Sequence, residues 1–126
     1  MKNVNPDKLF EKPLIFKEEE DPLLAMANLP ERLTGVKGRI RASSQEGSHW
    51  ARVKFYPFSR DNNKYVSITI SDDPEIVETK PANLRVSQSL INQVFGFVKT
   101  NKKILLQYWS DDTMYTDIFL KKIKKV

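Results

Sequence analysis

Cysteine is absent from this 126-residue chain, and histidine occurs once, as His49. The first absence excludes disulfides, thiolate metal ligands and thiol nucleophiles. The second leaves acid–base chemistry near neutral pH with a single imidazole. Also missing are GxSxG, a Walker phosphate loop, HExxH and GxGxxG. No apolar run approaches the ~18 residues of a membrane span. The opening MKNVNPDKLFEK lacks the apolar core of a signal peptide. The sequence therefore reads as a cytoplasmic, bacterial-style protein rather than a secreted one. No internal repeat or low-complexity tract is present.

What is present is charge. Charged residues make up 29% of the chain, hydrophobic residues 40%, and the net charge is +5. That balance is globular rather than disordered. The length suits one domain over residues 1–126, with residues 1–20 read as an arm, flexible or edge-pairing. Charge is uneven along the chain: residues 32–64 carry eight basic and two acidic residues, and residues 99–126 carry seven lysines and three acids. A basic excess of this kind favours an acidic partner such as nucleic acid.

Residues 21–33, DPLLAMANLPERL, read as a short helix with Asp21 as N-cap and Pro22 at the first helical position, limited by Pro30. Glu18, Glu19, Glu20 and Asp21 then complement the positive end of its dipole. Three strand signals follow. VKGRIRAS (36–43) turns Val36, Gly38, Ile40 and Ala42 one way and Lys37, Arg39 and Arg41 the other. HWARVKFY (49–56) sets Ala51, Val53 and Phe55 against Trp50, Arg52, Lys54 and Tyr56. YVSITIS (65–71) sets Val66, Ile68 and Ile70 against Tyr65, Ser67 and Thr69. EIVET (75–79) is a candidate fourth strand. Short connections make an antiparallel meander the economical arrangement.

From Ser87, a helix N-cap, apolar residues recur at helical spacing through Trp109, which predicts one helix over about 88–110, with a break into two at Asn101 as the alternative, and a short last helix starting near Asp112 or Thr113. The expected fold class is α+β: a three- or four-stranded antiparallel meander covered on one face by a long helix, with short terminal helices.

In that arrangement the uncovered face collects Lys37, Arg39, Arg41, Arg52 and Lys54 with Trp50, Tyr56 and Tyr65 among them, and none of the three strands adds an acid. Cations neutralise phosphates and rings stack on bases, so this set matches a single-stranded nucleic-acid platform. Other readings stay open, an ordinary solvent-facing sheet surface among them. In the others, the acidic stretch at 18–21 folds over the cations, or a second chain covers them. The one catalytic candidate is His49, which with Arg41, Arg52, Lys54 or Tyr56 gives a metal-independent ribonuclease reading. Asp72, Asp73 and Glu75 are turn residues rather than a hard-metal site, and no metal or cofactor is expected. In the C-terminal FLKKIKKV, Phe119, Leu120, Ile123 and Val126 share one side, a candidate partner-binding edge.

YVSITISDDPEIVE followed by VFGFVKTNKKILLQYW resembles a group of small bacterial proteins of unknown function. In that group an alternating strand leads to a helix bearing N-x3-L-L-x2-W, matched here by Asn101, Leu105, Leu106 and Trp109. The resemblance spans residues 65–109 and implies a strand–helix order and a toxin–antitoxin or mobile-element setting. Members of one such family carry an HxHV strand; here Ala51 stands two residues after His49, where the second histidine would fall. The leading expectation is a non-enzymatic module binding single-stranded nucleic acid. The alternatives are a protein-interaction or homo-oligomeric module and the His49 ribonuclease.

Overall fold

The computed structural model describes residues 26–43, 50–111 and 114–126. Five strands pair antiparallel in chain order: β1 (Met26–Pro30), β2 (Arg39–Ser43), β3 (Arg52–Tyr56), β4 (Tyr65–Thr69) and β5 (Ile76–Lys80). Side-chain alternation builds the inner face. Ile40 lies opposite Phe55 and Val53 opposite Ile68, and all four are buried. A one-residue slip would turn this whole set outward, so burial of the inner face holds the register.

The sheet has five strands where the sequence suggested three or four, and its first strand replaces part of the expected helix. Ala, Leu and Met favour helix by propensity. In β1, however, Ala27 and Leu29 are buried while Met26 and Asn28 are exposed, a period of two. Five residue pairs tie β1 to β2, and this pairing outweighs a local preference of a few tenths of a kcal/mol per residue. The proposed caps Asp21 and Pro22 lie outside the described residues.

A single helical turn, α1 (Glu31–Thr34), joins β1 to β2. Gly35 closes it with φ 80°, and Gly38 leads into β2 with φ 106°. A Cβ on Gly38 would lie 2.8 Å from the Tyr56 carbonyl oxygen and 2.9 Å from the Phe55 ring. Any side chain there would push β2 away from β3.

The helical layer is α2 (Gln88–Thr100), α3 (Lys102–Ser110) and α4 (Thr116–Lys122). The Ser87 hydroxyl accepts the Leu90 N–H at 3.2 Å and caps α2. Ile91, Val94, Phe97 and Val98 of α2 and Leu105 and Tyr108 of α3 join the core laid on the inner face. Each large side chain removed from water here contributes about 1.5–3 kcal/mol.

The single 88–110 helix of the sequence reading is therefore two, and Asn101 is the reason. It is 2% exposed. Its Nδ2 donates to the Phe97 carbonyl at 3.1 Å and the Lys124 carbonyl at 2.9 Å, while its Oδ1 accepts the Lys124 N–H at 2.7 Å. A buried amide satisfied this way fixes both the break and the C-terminal segment. Val126 N–H donates to the Thr34 carbonyl at 2.9 Å and fastens the last residue beside α1.

Phe119, expected on a partner-binding edge, is fully buried instead. Its ring stacks on Tyr108 with centroids 4.1 Å apart, and Leu120 and Ile123 pack against the same core. Most of the edge is thus covered from within the chain, and Val126 stays exposed. No helix among the described residues is long and apolar enough to cross a membrane.

Candidate nucleic-acid interface

Strand pairing arranges the outer face in rows. Asn28 lies opposite Arg41, Arg41 opposite Lys54, Lys54 opposite Ser67, and Ser67 opposite Glu78. A second row runs from Pro30 through Arg39 to Tyr56, and on β4 and β5 Tyr65 faces Lys80. Arg52 lies opposite Thr69 in a third. Arg39, Arg41, Arg52, Lys54, Tyr56 and Tyr65 thus share one face. The fifth strand adds an acid to it, Glu78, which a reading limited to three strands did not anticipate.

Around Tyr56 this face is closely knit. The Arg39 guanidinium carbon lies 4.0 Å from the Tyr56 ring centroid and that of Arg41 5.1 Å, while the Tyr65 ring sits 5.6 Å away at 50°. Lys54 Nζ is 4.6 Å above Tyr65. These are cation–π distances. Under them Tyr56 is only 2% exposed, so its ring is not open to a stacking base. Ser67 is buried too, its hydroxyl without a hydrogen-bond partner.

Arg39 also binds the β3–β4 loop. Its Nε donates to the Ser59 carbonyl at 3.0 Å, one terminal nitrogen to Asn28 Oδ1 at 2.7 Å, and the other to Asn62 Oδ1. All three acceptors are neutral. Burial lowers its pKa below the ordinary arginine value, repulsion from Arg41 lowers it further, and Tyr56 opposes the shift. It remains a cation throughout the accessible pH range.

Before the start of β3, strand alternation no longer assigns side chains to a face, and Trp50 lies there. Trp50, one residue before the backbone bond from Ile70 N–H to the Ala51 carbonyl, is 82% exposed. Arg52 begins β3 two residues on. Among the described residues no carboxylate forms an ion pair with Arg41, Arg52 or Lys54. Lys37 is exposed, but it precedes Gly38 and lies outside β2, so strand alternation does not assign it to this face.

Sequence reasoning missed Phe58. It is 55% exposed in the loop after β3, with Lys64 Nζ 5.5 Å from its ring centroid. The loop is ordered by bonds from Asp61 N–H to the Phe58 carbonyl (2.7 Å) and from Asn63 N–H to Asp61 Oδ1 (2.9 Å). The signal was a Phe between Tyr56 and Arg60, passed over because the stretch reads as a turn.

His49 and the acidic stretch 18–21 lie outside the described residues, as does any contact they make. Asp72 pairs with Lys102 at 2.8 Å, and the Glu75 N–H donates to Thr69 Oγ1 at 2.9 Å. No group of three or more metal-ligating side chains gathers among the described residues. Comparison with protein-family models, with curated proteins and with solved structures finds no match for this chain.

Proposed function

We propose that the protein is a non-enzymatic binding module that holds single-stranded nucleic acid along the outer face of its sheet. Trp50 is the stacking ring; Arg41, Arg52 and Lys54 meet phosphates, and Tyr65 adds a second, half-buried ring. Arg39 and Tyr56 act as the rigid floor beneath them, and Phe58 extends the track past the other end of β3. At about 3.3 Å per strand residue, the eight residue steps from Trp50 to Phe58 span at most about 26 Å, a reach of a few nucleotides. The observation that carries this reading is the 82% exposure of Trp50 next to cations that meet no acid among the described residues. Such a surface is costly to leave bare and suited to a polyanion with flat bases.

The test is anisotropy of a labelled oligonucleotide at low and rising salt. Affinity should fall steeply with salt and be lower for Trp50→Ala in every base context. No binding at low salt would end the proposal.

A second reading is an interaction or self-association module. It draws on β5, the last strand in the order, where Ile76 and Val77 are both exposed. Light scattering at high concentration distinguishes the two, because the nucleic-acid reading requires no self-association.

A further inference from the structure

On the helical side, a cleft of about 230 Å³ opens where the break between α2 and α3 meets the C-terminal segment. Lys103, Lys122 and Lys124 line it together with Thr100, Asn101 and Gln107, and no carboxylate does. Among the described residues none of the three lysines forms an ion pair, whereas their neighbour Lys102 is engaged with Asp72. Three lysines lining one cleft with no acid among the lining residues leave like charges close to one another, and an anion bound among them would ease that repulsion.

A further feature acts in the same direction. Asn101, through its paired bonds to the Lys124 backbone, fixes the wall bearing Lys124 against the wall bearing Lys103. The cations are therefore carried on connected backbone rather than on independent segments. In size the cleft falls below the ~300–1,000 Å³ of sites for drug-sized molecules. That suits a compact anion or the charged end of a larger molecule.

We propose that this cleft is a binding site for a phosphoryl or diphosphate group, separate from the sheet face and held by Lys103, Lys122 and Lys124, with Thr100 and Gln107 as further donors. The group has two chemical sources, a small phosphorylated molecule or the terminal phosphate of a nucleic acid, and both present the same multiply charged terminal phosphate oxygens.

Amide shifts of the full chain, titrated with inorganic pyrophosphate at constant ionic strength, test it. The expected result is saturable change confined to residues around Lys103, Gln107 and Lys124. The double variant Lys103→Gln, Lys122→Gln should bind at least about tenfold more weakly. Lys99→Gln and Lys121→Gln, which lie outside the cleft, should bind as the parent does. Unsaturable shifts spread over all lysines would overturn the site, as would a double variant that is folded by circular dichroism and binds unchanged. Competition by a 5′-phosphorylated trinucleotide but not its 5′-hydroxyl form assigns the nucleic-acid source. Competition by neither assigns the small molecule, and equal competition by both overturns the proposal.

Discussion

Arg39 and Arg52 stand on the same face of the same sheet, on neighbouring strands, in sequence contexts that look alike. Arg39 sits over Tyr56 and directs its donors to Asn28, Ser59 and Asn62. Arg52 begins its strand beside a largely exposed Trp50 and forms no ion pair with any described acid. The first guanidinium fastens a loop to a sheet; the second is available to an incoming group. Counting cations on a face does not separate these roles, because the difference lies in which acceptors the fold brings within reach.

The largest expected effect breaks this comparison or confirms it. Arg39→Ala removes three hydrogen bonds and a cation–π contact and uncovers the Tyr56 ring. It should destabilise the protein by about 2–4 kcal/mol in urea unfolding, given the usual net worth of hydrogen bonds to charged groups. Arg52→Ala should stay within about 0.5 kcal/mol, as surface substitutions do. Equal losses would show that both arginines are structural. Next in size, Trp50→Ala should weaken oligonucleotide binding by about 1–3 kcal/mol without moving the unfolding midpoint. Tyr56→Phe should leave affinity unchanged; a loss there would show that the Tyr56 hydroxyl meets the ligand.

The same contrast explains what could be read in advance. β2, β3 and β4 were legible because alternation is a local signal, and burial of Ile40, Val53 and Ile68 enforces it. β5, exposed at four of its five residues, was only a candidate after the turn at Asp72-Asp73-Pro74. β1 was not, since its helix-forming composition is overridden by pairing with β2. Asn101 stands out in the sequence as a candidate break, but one helix is favoured there, because what fixes the break, the backbone of Lys124, is twenty-three residues away. Phe119 looked like a free edge until Tyr108 was seen stacked on it. For the candidate site, the shared face of Arg39, Arg41, Arg52, Lys54, Tyr56 and Tyr65 follows from parity. The burial of Tyr56 and the exposure of Trp50 and Phe58 do not; they depend on contacts that cross strands and loops.

A milder probe perturbs the helical side and asks whether the sheet face responds. Burial raises the Tyr108 pKa above the ordinary 10.0, and its hydrogen bond with Thr116 pulls the other way. The unfolded chain therefore loses this proton first. Tyr108 contributes its full stabilisation below pH 10.0, and that contribution declines as pH rises through the higher folded value. Unfolding followed across the alkaline range should show the decline, and Tyr108→Phe should flatten it. If the Trp50 emission changes with the same profile, the two layers are coupled and the outer face is not an independent surface.

The smallest expected effect bears most directly on Arg52. Each phosphate contact to a single strand contributes about 0.7 to the slope of log affinity against log salt. Arg52→Gln should lower that slope by about this amount while leaving discrimination among base sequences as it was. Arg85→Gln, an exposed cation in the connection to α2, should leave it unaltered. A slope that drops equally for both would mean that the chain attracts polyanions through its net charge alone. A drop confined to Arg52 would mean that a phosphate docks beside Trp50, where stacking and charge neutralisation act on the same nucleotide.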